Sequence, residues 1–585
     1  MKKILFVISL AALLLTGCES DLTKEAPFIS ENLVFESQEL TESYMADLYN
    51  RAAFQPSTSW EMGIFSAVGA EHINFANWQR PNQAFLRLYS AETGPFLLDR
   101  WNYSAIRDMN FLLENLPNSE SFNADYIQKK VSETRMLRAF EYFEMVKRWG
   151  GVPLITKVQN REDSEEELFV GRNTEQEIYD FIYDEATAVI PMLDNAKTGA
   201  QGALDKYFAL MLQSRAMLYA GSIAKNGQVQ LDGLVGVPNN LNQSYYQKSY
   251  DASKEIIDSG MFSLINEGND KVANYASIFL NDGNNETIYA EPFESVIRGH
   301  GLDYYAYPDG LNSNWNSNFP VLYDFVELFD FIDGRAGTSI DRSTLTSGNE
   351  WDINDFFGNR DPRFRASVFY PETVFQDGKI WFHQSILLTD NGSQIEVNNR
   401  GLNRTRIDNT EMPEASPARN RRNTSLLLRK RVDESNQSPD SNTSGQDYIV
   451  FRYAETLLNF AEAAFYLGKT GEALDAINLI RERSGMPLRT EVNEANIQQE
   501  RQVELCFENH RFWDLIRWRT ANQYLDGVRT KGLVFKYNLD TDRYIITLKN
   551  AESKTRKFGE ERYYLPFSLG RLADNPKLKQ NPGYE

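Results

Sequence analysis

Cysteine and histidine are scarce. The 585 residues hold two cysteines, Cys18 and Cys506, and four histidines, His72, His300, His383 and His510, all far apart in the chain. A disulfide framework and a conventional structural zinc cage are therefore not expected. Positive charge is also short. Lys and Arg number 61 against 82 Asp and Glu, a net charge of −21. That balance argues against modes that neutralise phosphates, so nucleic acid and anionic membrane surfaces are not expected partners. Long hydrophobic runs are missing. The best, Ile4 to Leu15, is too short to span a bilayer as a helix. Motifs of several enzyme classes are absent too. No glycine-rich dinucleotide fingerprint follows a strand, and there is no P-loop, HExxH or GxSxG. What remains is ample length for a large core, about three or four domain-equivalents, with aromatics at 13%.

The start of the chain has its own logic. Lys2 and Lys3 precede the apolar run, and Leu15-Thr16-Gly17-Cys18 follows it. This order matches a signal peptide, and the last four residues resemble a bacterial lipobox. The resemblance implies a signal peptide over 1–17, cleavage before Cys18 and lipidation there; the alternative is a plain secretory signal. Lipid would anchor the chain without making it span a membrane. Residues 18–30, with Glu19, Asp21 and Glu25, read as an acidic flexible tether. Cys506 then reads as a small core residue.

The fold class expected is mainly α: a tetratricopeptide-like helical scaffold with an irregular, loop-rich insert containing short strands. Over 31–268 the apolar spacing predicts helices at Asp99 to Leu116, Asp125 to Trp149, Glu175 to Leu193, Leu204 to Lys225 and Tyr245 to Ser259. Gly150-Gly151 and Gly260 serve as stops. Over 269–445 helical period fades, and Asn, Gly, Asp and aromatics dominate. Short strands and one helix near Val321 to Phe331 are expected there, and Asp433 to Gly445 reads as a mobile loop. Over 446–585 helices resume at Phe451 to Leu467 and Gly471 to Ser484. The small residues Ala461, Gly468 and Ala473 fit a tetratricopeptide helix pair, with a simple αα-hairpin as the alternative. Asn496 to Trp518 reads as one last long helix, and the chain from Leu533 as short strands and loops.

Two kinds of side-chain constellation stand out. Glu508, Arg511 and Asp514 fall at i, i+3, i+6 of the expected helix, beside Glu500, Arg501, Glu504 and Arg517. A carboxylate pair could serve acid–base chemistry; an ion-pair network locking the fold is the favoured reading. The same holds for Arg135, Arg138, Glu141 and Glu144, and for Arg452, Glu455, Glu462, Arg481 and Arg483. The second kind is aromatic and amide-rich: Asn77 and Trp78 in one loop, and Tyr304, Tyr305, Tyr307, Asn314 and Trp315 in another. Flat rings stack on the apolar face of a sugar, and amides bond its hydroxyl rim, so these seven residues are the candidate ligand site. Ordinary loop packing is the competing reading. Asn281-Asp282-Gly283-Asn284-Asn285-Glu286 is rich in oxygen ligands, but its spacing does not match an EF-hand loop. It reads as a turn into Thr287-Ile288-Tyr289 rather than a calcium site, and no cofactor is expected.

Motifs along nearly the whole chain resemble the SusD/RagB family of outer-membrane nutrient-binding lipoproteins. They are the lipobox at Cys18, Trp101-Asn102-Tyr103-Ser104-Ala105-Ile106, the run from Glu133 to Phe143, and Trp149-Gly150-Gly151-Val152-Pro153-Leu154. Further on come Arg360-Asp361-Pro362-Arg363-Phe364, Arg452-Tyr453-Ala454-Glu455, Asn459 to Ala463, Ile477 to Arg483, Phe512 to Trp518, and Gln580-Asn581-Pro582-Gly583-Tyr584. The resemblance implies a lipid-anchored, surface-exposed protein of the cell outer membrane that performs no catalysis. It implies capture of oligosaccharide or polysaccharide for a SusC-like TonB-dependent channel. A peptide ligand, a surface glycoside hydrolase and a peptide-binding helical scaffold are the alternatives. These motifs mark the fold and not the ligand, so the seven candidate residues rest on their chemistry and approximate location alone.

Overall fold

A computed structural model describes residues 34–52, 54, 64–73, 94, 98–308, 316–376, 378–397, 404–405, 411–412 and 424–585. Helices come first: α1 (Gln38–Arg51), α2 (Tyr103–Asn115), α3 (Ala124–Trp149), α4 (Glu175–Val189), α5 (Lys206–Asn226), α6 (Asn242–Ser259) and α7 (Lys271–Leu280). Strand β1 (Thr287–Glu291) and the short α8 (Leu302–Ala306) lead into irregular chain carrying β2 (Glu350–Trp351), β3 (His383–Asp390) and β4 (Ser393–Val397). After β5 (Tyr448–Arg452) come α9 (Tyr453–Tyr466), α10 (Thr470–Arg483), α11 (Glu494–Glu504) and α12 (Arg511–Arg517). The hairpin β6 (Lys531–Asn538) and β7 (Arg543–Asn550) and then α13 (Leu569–Asp574) complete the chain.

The helices stack in series. α2 packs on α3, α3 on α4, α4 on α5, α5 on α6, α6 on α9 and α9 on α10. The array is thus assembled from both ends of the sequence and joined at α6 and α9, where the rings of Tyr250 and Phe460 stack at 4.8 Å. The inner helices explain their own sequences. α5 is buried from Tyr207 through Ala224, so apolar residues occupy every face rather than one stripe. Asp205 caps it, accepting from the amides of Tyr207 and Phe208 at 2.9 and 3.0 Å. A side chain at Gly221 would press its Cβ to 2.9 Å from the Tyr246 ring, so only glycine lets α5 and α6 close up here.

The Trp149-Gly150-Gly151 motif has a similar cause. Gly150 ends α3 with φ 72°, and a Cβ at Gly151 would fall 1.9 Å from the Asn173 carbonyl oxygen. The C-terminal motif docks onto this corner, where Asn581 Nδ2 donates to the carbonyls of Trp149 and Leu565 at 3.1 and 2.8 Å.

Four expectations need correction. The stretch from Asn496 to Trp518 is two helices, α11 and α12, separated by a turn in which Phe507 and Asn509 take positive φ. No Gly or Pro marks this break; it is enforced by contacts of Glu508 and of the Phe507 amide, described below. A helix was expected from Val321 to Phe331, and one turn forms, Tyr323–Val326. Within 269–445 the helix α7 was not foreseen, although Asp270 caps it through the amides of Val272 and Ala273. The C-terminal strands are also longer than expected. β6 and β7 pair over eight residues each and form the middle of a five-stranded sheet, ordered β2-β7-β6-β3-β4, with β3 parallel to β6. Strands of the insert therefore flank the C-terminal hairpin. One hydrophobic core includes Phe35, Phe143, Phe357 and Phe535, residues from every region of the chain.

Candidate functional site

The aromatic loop is organised by one carboxylate. Asp303 on α8 is fully buried. Its Oδ1 accepts from the Asp433 amide and from Gln446 Nε2, each at 2.9 Å. Its Oδ2 accepts from Ser444 Oγ at 2.9 Å and from Asn436 Nδ2 at 3.1 Å. Burial pushes the Asp303 carboxyl upward, and these donors oppose that. His300 adds a second tie. Its Nε2 lies 3.0 Å from the Gln446 carbonyl, and its Nδ1 accepts from the Leu302 amide at 3.2 Å. Burial lowers its pKa to about 4, which keeps the ring neutral in the tautomer that these two contacts require. The polar stretch from Asp433 to Gly445, expected as a mobile loop, is thus stitched to α8 by side chains.

This scaffold sorts the expected platform residues. Tyr307 is fully buried; its hydroxyl lies 2.6 and 2.8 Å from the carbonyls of Asp433 and Asn436, and its ring meets Phe375 edge-on. Tyr305 is also buried, beside Gly301. Both rings are used in packing, which is the competing reading of the sequence for these two positions. Tyr304 is partly exposed, edge-on to Tyr305 at 5.0 Å between ring centres. Asn77, Trp78, Asn314 and Trp315 lie outside the described residues, as does Cys18. Sequence reasoning missed Asp303; its one signal was a carboxylate set among tyrosines in an otherwise neutral run. It also missed Val296 and Ile297, which are 68% and 78% exposed at a turn that Asn442 pins to the same polar stretch.

The ionic residues form structure. In one network Arg452, Arg363, Arg481, Arg483 and Lys430 neutralise Glu286, Asp361, Glu500, Glu504 and Glu508, five cations against five carboxylates. Burial would raise Glu508, but Arg452 and Lys430 outweigh it and hold the carboxyl below the usual range. In a second network Arg501 and Arg517 share Asp514 at 2.9 Å, Arg517 also holds Glu462, and Arg215 forks onto Glu455. Glu508, Arg511 and Asp514 do not form one row. Glu508 precedes α12 and belongs to the first network, Asp514 belongs to the second, and Arg511 Nε donates to the Gly69 carbonyl at 2.8 Å. In the N-terminal helices Arg135 and Arg138 hold Glu185, Arg100 holds Glu141, and Lys147 and Arg148 hold Glu144.

Glu71 differs from all of these. It is buried with one oxygen accepting from the Phe507 amide at 3.0 Å, and burial lifts its pKa to about 7. Among the described residues no group of three or more His, Cys, Asp or Glu is arranged to hold a metal. In the oxygen-rich segment Asn281 to Glu286, Asn284 caps the turn and Glu286 faces Arg452 and Arg483 as the chain enters β1. Cys506 is buried in the core. No described helix is long and apolar enough to cross a membrane.

Comparison with known proteins agrees with this architecture. A family model described as the SusD family matches residues 285–584, and one described as "Starch-binding associating with outer membrane" matches residues 22–203. SusD-like protein P38 of Formosa agariphila is 23% identical, over 99% of this chain and 98% of its own length. Among solved structures, a SusD-like protein from Bacteroides fragilis superposes with a TM-score of 0.73 at 22% identity. That match covers 95% of this chain and 99% of the other. A second B. fragilis protein, described as a SusD-like carbohydrate-binding protein, gives 0.68 at 19% identity over 93% and 99% of the two chains.

Proposed function

Because the chain belongs to the SusD family, we propose that it captures oligosaccharide or polysaccharide at the bacterial surface and passes it to a SusC-like TonB-dependent channel. The observation that carries this reading is the pair of family matches, which together take in most of the chain, one of them to a starch-binding, outer-membrane-associated family. A solved relative described as carbohydrate-binding supports it. In this reading Cys18 carries the lipid that holds the protein on the outer membrane. In the same reading Tyr304 at α8, together with Trp78 and Trp315, supplies the sugar platform. The protein works by binding alone. In support, the carboxylates of its ionic motifs are each engaged by Arg or Lys within the interior, so they offer no free acid–base pair.

The test is migration of the full chain in native gels cast with a panel of polysaccharides, alongside an assay for released reducing ends. Retarded migration with no new reducing ends is expected. Release of sugar ends would make the protein a hydrolase. Retention by none of the glycans, with a peptide binding instead, would move the ligand class to peptide. For the anchor, Cys18→Ala is expected to leave the membrane fraction or to accumulate as precursor; normal processing and detergent-phase partitioning would overturn that assignment.

A further inference from the structure

A cavity of about 530 Å³ opens where the start of α2, the connection from Pro153 to Val170 and α13 meet. It is separate in sequence from the α8 loops, and its volume lies within the range of small-molecule sites, roughly 300–1,000 Å³. Its walls have two characters. One is apolar, with the Trp101 indole, Ile155, Leu168 and Val170, all partly exposed. The other is cationic: Arg107, Lys157 and Arg571 line the same space, against one carboxylate, Asp574. Asp108, Glu167 and Asp99 pair with Arg107, Lys157 and Arg571 in turn, so the cations face the space without a net local excess of positive charge.

The three cations are held differently. Arg571 is fixed, with its Nη2 on both oxygens of Asp99 at 2.9 and 2.8 Å and its guanidinium over the Trp101 ring at 5.0 Å. Arg107 and Lys157 are loosely held. Their ion pairs, to Asp108 at 3.6 Å and Glu167 at 3.4 Å, are long, and their side chains are 51% and 63% exposed. Such pairs contribute little, so both side chains are available to a better acceptor. The amides nearby are already engaged: Gln159 donates to the carbonyls of Glu167 and Leu168, and Asn575 to that of Val170.

A neutral sugar would find few open hydrogen-bonding groups here. A sugar bearing an anion would find an indole and apolar wall for its ring and two adjustable cations for its charge. We propose that this cavity is a second saccharide site, selective for an anionic sugar residue, a uronate or a sulfated sugar. The proposal rests on the glycan reading above and gives it a substrate class.

The experiment is calorimetric titration of the full chain with digalacturonate, a sulfated disaccharide, neutral cellobiose and inorganic sulfate. Variants are Arg107→Gln/Lys157→Gln and, separately, Asp574→Asn, all at exposed positions. Expected is binding of one or both anionic disaccharides, weakened by salt. The double variant should lose about tenfold or more, since charge-assisted bonds are the strong ones, and Asp574→Asn should bind more tightly. Which disaccharide binds identifies carboxylate or sulfate as the recognised group. Unchanged affinity in the double variant, or inorganic sulfate binding as tightly as the sugars, would overturn the proposal. If a neutral polysaccharide retards the chain in gels while neither anionic disaccharide binds, the cavity assignment falls and the general glycan reading stands. Anionic disaccharide binding with no retention by neutral polysaccharides upholds the cavity assignment and narrows the glycan reading to anionic saccharides.

Discussion

Arg452 and Glu508 meet as a fork. Nε lies 2.7 Å from Oε2, and Nη2 lies 2.7 Å from Oε1, across 56 positions of sequence. The pair joins the end of β5 to the turn between α11 and α12, and Lys430 holds the same carboxylate at 2.6 Å. This fork, together with the Phe507 amide on Glu71, makes a turn where local spacing continues a helix.

Arg452→Met is therefore expected to destabilise the fold by about 3–5 kcal/mol, because it strands Glu508, Glu504 and Glu286 in the interior with too few cations. Urea midpoints with an unchanged slope would read this directly. Wild-type stability would mean that the network carries no structural weight.

The Glu71 carboxyl gives a pH signature. Burial dominates and leaves its pKa at about 7, against 4.5 for an exposed glutamate, although Ser66, the Phe507 amide, Arg511 and Lys430 all draw it down. Between those values the unfolded chain is ionised while the folded one keeps its proton, so stability falls as pH rises through the window. The full loss is on the order of 3 kcal/mol. In Glu71→Gln, which keeps an oxygen for the Phe507 amide, that slope is expected to vanish, and the variant should outlast wild type above neutral pH. An identical pH profile for both proteins would refute the assignment.

Tyr304 and Tyr307 should separate ligand binding from stability. Tyr304→Ala is expected to keep the melting temperature and weaken glycan retention, by roughly thirtyfold if the ring is a central stacking anchor. Tyr307→Ala is expected to lower the melting temperature, since it empties a buried ring site and frees two carbonyls. Should Tyr304→Ala melt early with full retention, the platform lies elsewhere.

Gly221→Ala adds one methyl group against the Tyr246 ring. A cost of about 1–3 kcal/mol is expected from overpacking between α5 and α6. A smaller residue at 246 should recover part of it in the double variant, and additive losses would argue against a shared contact.

The helices were legible because their signals are local: apolar residues at helical spacing, and stops such as Gly150 and Gly260. The helix α7 was missed although Asp270 caps it, because its polar, glycine-rich surroundings read as loop. What local spacing hid was set at long range. Asn509 is a residue that tolerates positive φ, but Phe507 carries no turn signature, and its amide is held by a partner as distant as Glu71. In the site, the aromatic loop was recognisable by composition, but burial divides it. Tyr304 and Tyr307 are alike in the sequence, and only the contacts of Asp433 and Asn436 tell them apart. The ionic motifs read correctly as structure, yet Glu508 and Asp514, placed on one helix by spacing, serve different networks.

The seam between α6 and α9 sets an order of events in time. Tyr250 on α6 bonds Glu472 on α10, 222 positions later in the chain. Until that later segment exists, α6 has an unfinished apolar face, and the N-terminal helices form an open-ended stack. Contacts of such range slow folding, because a long loop must close before they give any return. A chain emerging from its N-terminus therefore cannot complete its array as it appears. It remains adhesive at one edge until nearly all of it has arrived, so truncated forms ending before α9 are expected to aggregate rather than fold.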